Sequence, residues 1–150
     1  MNEELINKVK QRLEYEPKVD NISGIPSISI KKEDIINLCQ FLKDLGFERI
    51  VDIFGIDNLY ISDNQKRFQV IYHLSNIEAN QRIFIQIAIG EDESVPSLNK
   101  VFPGAKAYEL ECSDMFGINF EGNELPKERF LLAEDFKGYP LRKNFPLRSY

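Results

Sequence analysis

Tryptophan is absent, histidine occurs once (His73) and cysteine twice (Cys39 and Cys112). A structural zinc takes four Cys/His ligands and an iron–sulfur cluster usually takes four Cys, so this chain supplies neither alone. A disulfide between Cys39 and Cys112 is conceivable, but a cytosolic chain keeps both reduced. No apolar run approaches the roughly 20 residues of a membrane helix. The opening Met1-Asn2-Glu3-Glu4 has neither the basic nor the apolar region of a signal peptide. Phosphate-loop, dinucleotide-fingerprint, HExxH and GxSxG patterns are missing. With 19 basic against 24 acidic residues, the net charge of -5 argues against an electrostatic nucleic-acid binder. What remains is a 150-residue chain, 43% hydrophobic and 29% charged, the size of one globular domain.

Periodicity lays out an α+β order. Leu5, Ile6, Val9 and Leu13 make one apolar stripe over Glu3 to Glu14, a first helix. Ile28 and Ile30 alternate with Ser27 and Ser29 in a strand reached through Gly24 and Pro26. Lys32 to Leu45 is a second helix, with Ile35, Leu38, Cys39, Leu42 and Leu45 on one face. Gly46 stops it, and Phe47 folds back on its last turn. Strands follow over Arg49 to Phe54, Phe68 to Leu74 and Arg82 to Ile89, the last two joined as an antiparallel hairpin. Asp57, Asn58, Asp63 and Asn64 bracket a short strand or loop at Leu59 to Ile61. His73 lies on the strand face opposite Tyr72 and Leu74. Gly90 to Pro96 reads as an acidic turn, Ser97 to Phe102 as a short helix, and Ala105 to Phe116 as a third helix stopped at Gly117.

Beyond Gly117 no period persists, yet Ile118, Phe120, Leu125, Phe130 to Leu132, Phe136, Leu141, Phe145, Leu147 and Tyr150 are apolar. An irregular segment so rich in apolar residues needs a surface to lie on, its own domain or a partner's. The pattern favours a partner. The chain therefore divides into an α+β core over 1–116 and an extended partner-binding segment over 117–150. Glu109, Glu111 and Asp114 are the densest carboxylate cluster, with Glu111 and Asp114 neighbours on one helix face. They suit ion pairing, or, in a small soluble enzyme, acid–base or metal chemistry. Arg142 and Lys143, set between Pro140 and Pro146, suit pairing with carboxylates of a partner, or a phosphate.

Two stretches carry a family resemblance. Glu111-Cys-Ser-Asp114-Met-Phe116-Gly117-Ile-Asn-Phe120-Glu-Gly122 resembles the signature of the 30-kDa (C) subunit of respiratory complex I, the proton-pumping NADH:quinone oxidoreductase. Phe130-Leu-Leu-Ala-Glu134-Asp135-Phe136-Lys-Gly138-Tyr-Pro140-Leu141-Arg142-Lys143-Asn144-Phe145-Pro146-Leu147 looks like the same family's ending, with Phe136 at a Trp position. The resemblance implies a two-layer α+β sandwich, a mixed sheet with helices on one face, and an irregular C-terminal tail. It implies a non-catalytic structural subunit with no cofactor of its own. The partners are the 49-kDa-type large subunit and the small iron–sulfur subunit, within a complex that carries FMN and iron–sulfur clusters on the cytoplasmic side of the plasma membrane. Related energy-converting hydrogenases, with NiFe chemistry in a neighbour, and ferredoxin-linked complexes carry a similar subunit. On this resemblance the partner interface comprises Glu111, Asp114, Phe116, Gly117, Phe120, Gly122, Arg129, Asp135, Gly138, Pro140, Leu141, Arg142, Lys143 and Phe145.

Overall fold

A computed structural model describes residues 3–61, 66–123 and 129–147. Five strands form one mixed sheet in the order β1-β2-β5-β4-β3. They are β1 (Lys18–Ile22), β2 (Ile25–Ile30), β3 (Arg49–Asp57), β4 (Phe68–Asn76) and β5 (Gln81–Ile89). Only the β2–β5 pairing in this sheet is parallel; β1–β2, β3–β4 and β4–β5 are antiparallel. The helices are α1 (Glu3–Arg12), α2 (Ile35–Asp44, entered through a 3₁₀ turn at Lys32–Asp34) and α3 (Ala105–Phe116). Two short strands, β6 (Ser94–Pro96) and β7 (Asn119–Glu121), pair in parallel beside α3.

Alternation decides which sheet face is covered. Ile28 sits beside Ile85, and Val70, Tyr72 and Leu74 pair with Ile87, Ile85 and Ile83 across the central strands. All are buried. Leu5, Ile6 and Val9 of α1, Leu38, Cys39 and Leu42 of α2, and Cys112 and Phe116 of α3 join the same core. Cys39 of α2 and Cys112 and Phe116 of α3 are buried in the one core with Tyr72, so α2 and α3 cover the same face. The fold is thus the α+β arrangement of a mixed sheet with helices on one side. Gly46 takes φ +91°, and the Phe47 amide donates to the Leu42 carbonyl as the glycine stop requires.

Three local expectations change. Ser94–Pro96, the end of the expected acidic turn, is a strand, because it finds a parallel partner in Asn119–Glu121 that lies far along the chain. Lys18–Ile22 is a strand that apolar periodicity missed, because it is a largely exposed sheet edge and is mostly polar. The short helix expected over Ser97 to Phe102 is a single turn. The Val101 and Phe102 amides both donate to the Leu98 carbonyl, and Pro103 cannot continue the pattern. His73 lies half-buried on the open face of the sheet, against the ring of Phe84 at 4.6 Å. Of the residues expected to bracket a turn, Asp63 and Asn64 lie outside the described residues, as do Leu125, Pro126 and Tyr150 of the tail.

Candidate functional site

The site is the junction of α3 with the tail, built over the end of β3. Gly55 of β3 faces the core, and its bare Cα lets the Phe116 ring approach. A Cβ there would meet the ring at 2.8 Å. Phe116 then sets its ring edge-on to Phe68 at 6.5 Å. Gly117 ends α3 with φ +73°, a conformation that L side chains rarely adopt. Its missing Cβ leaves room for the Tyr139 ring and the Arg142 guanidinium. The first residues after α3 are not extended away from the core. Ile118 and Phe120 are buried, and Asn119–Glu121 pairs with β6. Gly122 (φ +87°) is exposed, and its carbonyl accepts from Asn99 Nδ2 at 2.9 Å.

Two buried carboxylates fasten the tail. Asp114 Oδ2 accepts from the Leu131 and Leu132 amides at 2.7 and 2.9 Å. Arg129 donates to the Asp114 carbonyl at 2.9 Å and to the Gly138 carbonyl at 2.5 Å, with its guanidinium over Tyr139. At the other end Asp57, whose side chain is fully buried, is clasped by Arg67 through Nε at 3.0 Å and Nη2 at 2.9 Å. The same carboxylate accepts from the Leu59 amide and, across the fold, from the Lys143 amide at 2.9 Å. Between these knots lies Arg142. Its Nε donates to the Phe116 carbonyl at 2.7 Å, satisfying a free helix-end acceptor. Its Nη1 reaches Glu91 at 2.9 Å, and its guanidinium stacks between Phe68 and Tyr139 at 5.1 and 4.6 Å. Glu91 also takes Arg67 Nη1, so one carboxylate joins both arginines.

The remaining candidate residues fall into two sets. Gly138 (φ +86°) makes the bend that lets Phe145 stack on Phe136 at 5.9 Å. Pro140 is half-buried, and the Leu141 amide donates to the Met115 carbonyl. Phe116 and Phe120 are internal, so they hold the junction from inside. The side chains of Glu111, Asp135, Leu141 and Lys143 are exposed, with Phe130, Leu131 and Leu147 beside them in the tail. The structure therefore gives Arg142 a carboxylate within its own chain, Glu91, and uses the Lys143 amide rather than its ammonium. Asp57, Arg67 and Glu91 were not legible as site residues. Apart from the Leu59 amide, their partners lie 10 to 86 positions away, and no local spacing marks them.

The carboxylate cluster of α3 disperses. Glu109 is fully buried and accepts from Ser97 Oγ, the Leu98 amide and Asn123 Nδ2 at 2.5, 2.7 and 2.9 Å. It thereby ties the 97–99 turn to the helix. Glu111 faces solvent, and Asp114 is occupied by the tail. They face three different surroundings, which removes the catalytic arrangement a small carboxylate enzyme needs. Among the described residues no group of three or more His, Cys, Asp or Glu is placed to hold a metal ion.

These carboxyls titrate in opposite directions. Burial pushes Asp57 up, but the Arg67 and Lys143 hydrogen bonds bring it below the usual range. Burial likewise opposes, and the Leu132, Leu131 and Phe130 amides with Arg129 overcome, the shift of Asp114, which also ends low. Their contribution to stability is whole above about pH 4 and is lost as pH falls through their depressed folded-state values. Burial raises Glu109 despite its three donors. Its folded-state preference is for the protonated form, so its contribution declines as pH rises past the ordinary glutamate value of roughly 4.3. Urea midpoints measured from pH 3 to 7 should rise from the acid side and then dip. Glu109→Gln should abolish the dip and leave the acid limb unchanged.

The profile of the family described as "Respiratory-chain NADH dehydrogenase, 30 Kd subunit" matches residues 28–150. The C subunit of an NADH-quinone oxidoreductase from Sinorhizobium medicae is 43% identical over 131 residues, covering 85% of this chain and 63% of the relative. The protein of that name from Rickettsia typhi is 38% identical over 148 residues, covering 97% of this chain and 68% of the relative. The chain thus spans about two thirds of the length of these relatives. Among solved structures, a trypsin-resistant fragment of Nqo5 superposes with a TM-score of 0.72 at 25% identity, covering 81% of this chain and 96% of that one. A chain of an archaeal membrane-bound sulfane sulfur reductase, a respiratory membrane complex, superposes with a TM-score of 0.79 at 22% identity, covering 97% of this chain and 85% of that one. At that identity the likeness is one of fold.

Proposed function

The chain belongs to the family of the respiratory-chain NADH dehydrogenase 30 kDa subunit, and from that membership we propose that it is a non-catalytic structural subunit of a proton-translocating NADH:quinone oxidoreductase. The observation that carries this reading is the match over residues 28–150, which takes in the second half of β2, strands β3 to β5, α2, α3 and the tail together. Its role is to pack against the 49-kDa-type large subunit, beside the small iron–sulfur subunit, and so to support electron transfer to quinone. The FMN and iron–sulfur clusters belong to other subunits. The complex holds the chain peripherally on the cytoplasmic side of the plasma membrane; among its described residues no helix is long and apolar enough to cross a membrane. The similar relatives named for NADH-quinone oxidoreductase favour this reading over an energy-converting hydrogenase.

The docking surface is the outer side of the tail. Asp114, Arg129, Asp57 and Arg142 fix its inner side, leaving Phe130, Leu131, Leu141 and Leu147 presented at 42%, 56%, 54% and 99% exposure. Residues held in place before binding lose less entropy on docking. Glu111, Asp135 and Lys143 supply charged groups around these apolar anchors, in keeping with an apolar core and polar rim. The test is the double variant Leu131→Asp/Leu141→Asp. Both positions are exposed, so its urea midpoint should match wild type while its recovery with the large subunit from membranes falls at least tenfold. Recovery at the wild-type level would place the docking surface elsewhere.

A further inference from the structure

The open face of the sheet carries a second feature, independent of the assembly role. Arg49 of β3, Ser75 of β4 and Arg82 of β5 are register partners in one cross-strand row. All three side chains are on the face opposite the helices, because Leu74 and Ile83 beside them point into the core. Adjacent strands are roughly 4.8 Å apart, so the two arginine backbones stand about 10 Å apart with the serine between them. That span lets two long guanidinium side chains converge above one hydroxyl. They border a concavity of about 310 Å³, walled also by Val51, Asn76, Ile77, Asn80 and Gln81, with no acidic side chain on its wall.

Neither arginine side chain makes a hydrogen bond or ion pair with any described residue, and both are exposed. This is unusual in a chain whose acids outnumber its bases by 24 to 19. Elsewhere the arginines at 67, 129 and 142 are paired with carboxylates. Glu48, Glu78 and Asp52 lie near in sequence, yet none pairs with Arg49 or Arg82. Ser75 is 8% exposed and its hydroxyl is uncommitted. One row down, His73 Nε2 is buried without a partner, and its register partner Asp52 is the one carboxylate on this part of the face, unpaired with either arginine. Two like charges brought together beside unspent donors leave a positive concavity that an anion would complete.

We infer that this row is a binding site for a phosphate-class oxyanion, clamped by Arg49 and Arg82 from two sides with the Ser75 hydroxyl beneath. Donors converging from several directions suit a tetrahedral oxyanion better than a planar carboxylate. The volume is at the low end for a ligand site, enough for a phosphorylated small molecule or a lipid headgroup.

The test titrates the full chain with inorganic phosphate at constant ionic strength, following backbone amide resonances. The shifts should saturate with one site and centre on Ser75, Asn80, Gln81 and Arg82. Arg49→Gln and Arg82→Gln should each weaken binding at least about tenfold, the worth of a charge-assisted contact, and Lys106→Gln on α3 should leave it unchanged. Vesicle flotation identifies the source. Capture on phosphatidylglycerol but not phosphatidylcholine vesicles, lost in the double arginine variant, assigns a lipid headgroup. Saturable phosphate binding without capture assigns a soluble ligand. Shifts that grow linearly with phosphate, or saturable binding that both arginine variants retain, would overturn the site.

Discussion

Asp57→Ala should destabilise the folded chain by about 3 kcal/mol, the low end of the cost of breaking a buried ion pair. The substitution removes one carboxylate but strands several donors. Arg67 loses both of its bonds to Asp57 and keeps only Glu91 and Asn144. The Leu59 and Lys143 amides lose their acceptor as well. Because the Asp57 side chain is fully buried and that of Arg67 is 11% exposed, little water is available to replace these bonds. Asp57→Asn should recover about half of the loss, since it keeps one acceptor oxygen without the charge. Urea unfolding followed by circular dichroism checks both. A loss below about 1 kcal/mol, the range of exposed ion pairs, would show that the knot is not buried in solution.

Asp114→Ala should act differently, releasing the start of the tail while the sheet remains folded. Asp114 lies on the α3 face toward the tail and takes the Leu131 and Leu132 amides together with Arg129. None of those donors belongs to the sheet. Bonds to a charged acceptor contribute roughly 1.5–3 kcal/mol each, so losing this set exceeds what a short irregular segment can hold by other means. Hydrogen exchange at Leu131 and Leu132 should accelerate at least a hundredfold, with exchange in β4 and β5 nearly unchanged. Arg142→Lys should loosen the far end similarly, because an ammonium cannot both stack between Phe68 and Tyr139 and serve the Phe116 carbonyl and Glu91. Uniform acceleration across β4 and β5 would show that the tail is part of the core's cooperative unit instead.

These two residues mark what the sequence could and could not reveal. Strands β4 and β5 were legible because Phe68, Val70, Tyr72 and Leu74, and Ile83, Ile85, Ile87 and Ile89, recur at every second position, and the antiparallel hairpin follows from their polar link. The α2 stop was legible because Gly46 and Phe47 act within one turn of the helix they end. Strand β1 was not, since an exposed edge has no apolar face to announce it. The turn at 97–102 was misread because a single helical turn and a short helix share the same residues. Asp114 stood out within a motif and on a helix face. Asp57, Arg67 and Glu91 did not, because their purpose appears only when the tail crosses back over β3. The tail's apolar content did signal a surface to lie on. Its inner side meets this chain's own α3 and β3, and its outer leucines stay exposed.

In the proposed assembly role, the tail is fastened on one side and offered to a partner on the other. Affinity recovery of the tagged chain from its native membranes, followed by mass spectrometry, tests it most directly. The chain should be recovered with a 49-kDa-type large subunit and a cluster-bearing small subunit. Recovery of the chain alone from the soluble fraction, as a stable monomer with its outer tail protected from exchange, would contradict it.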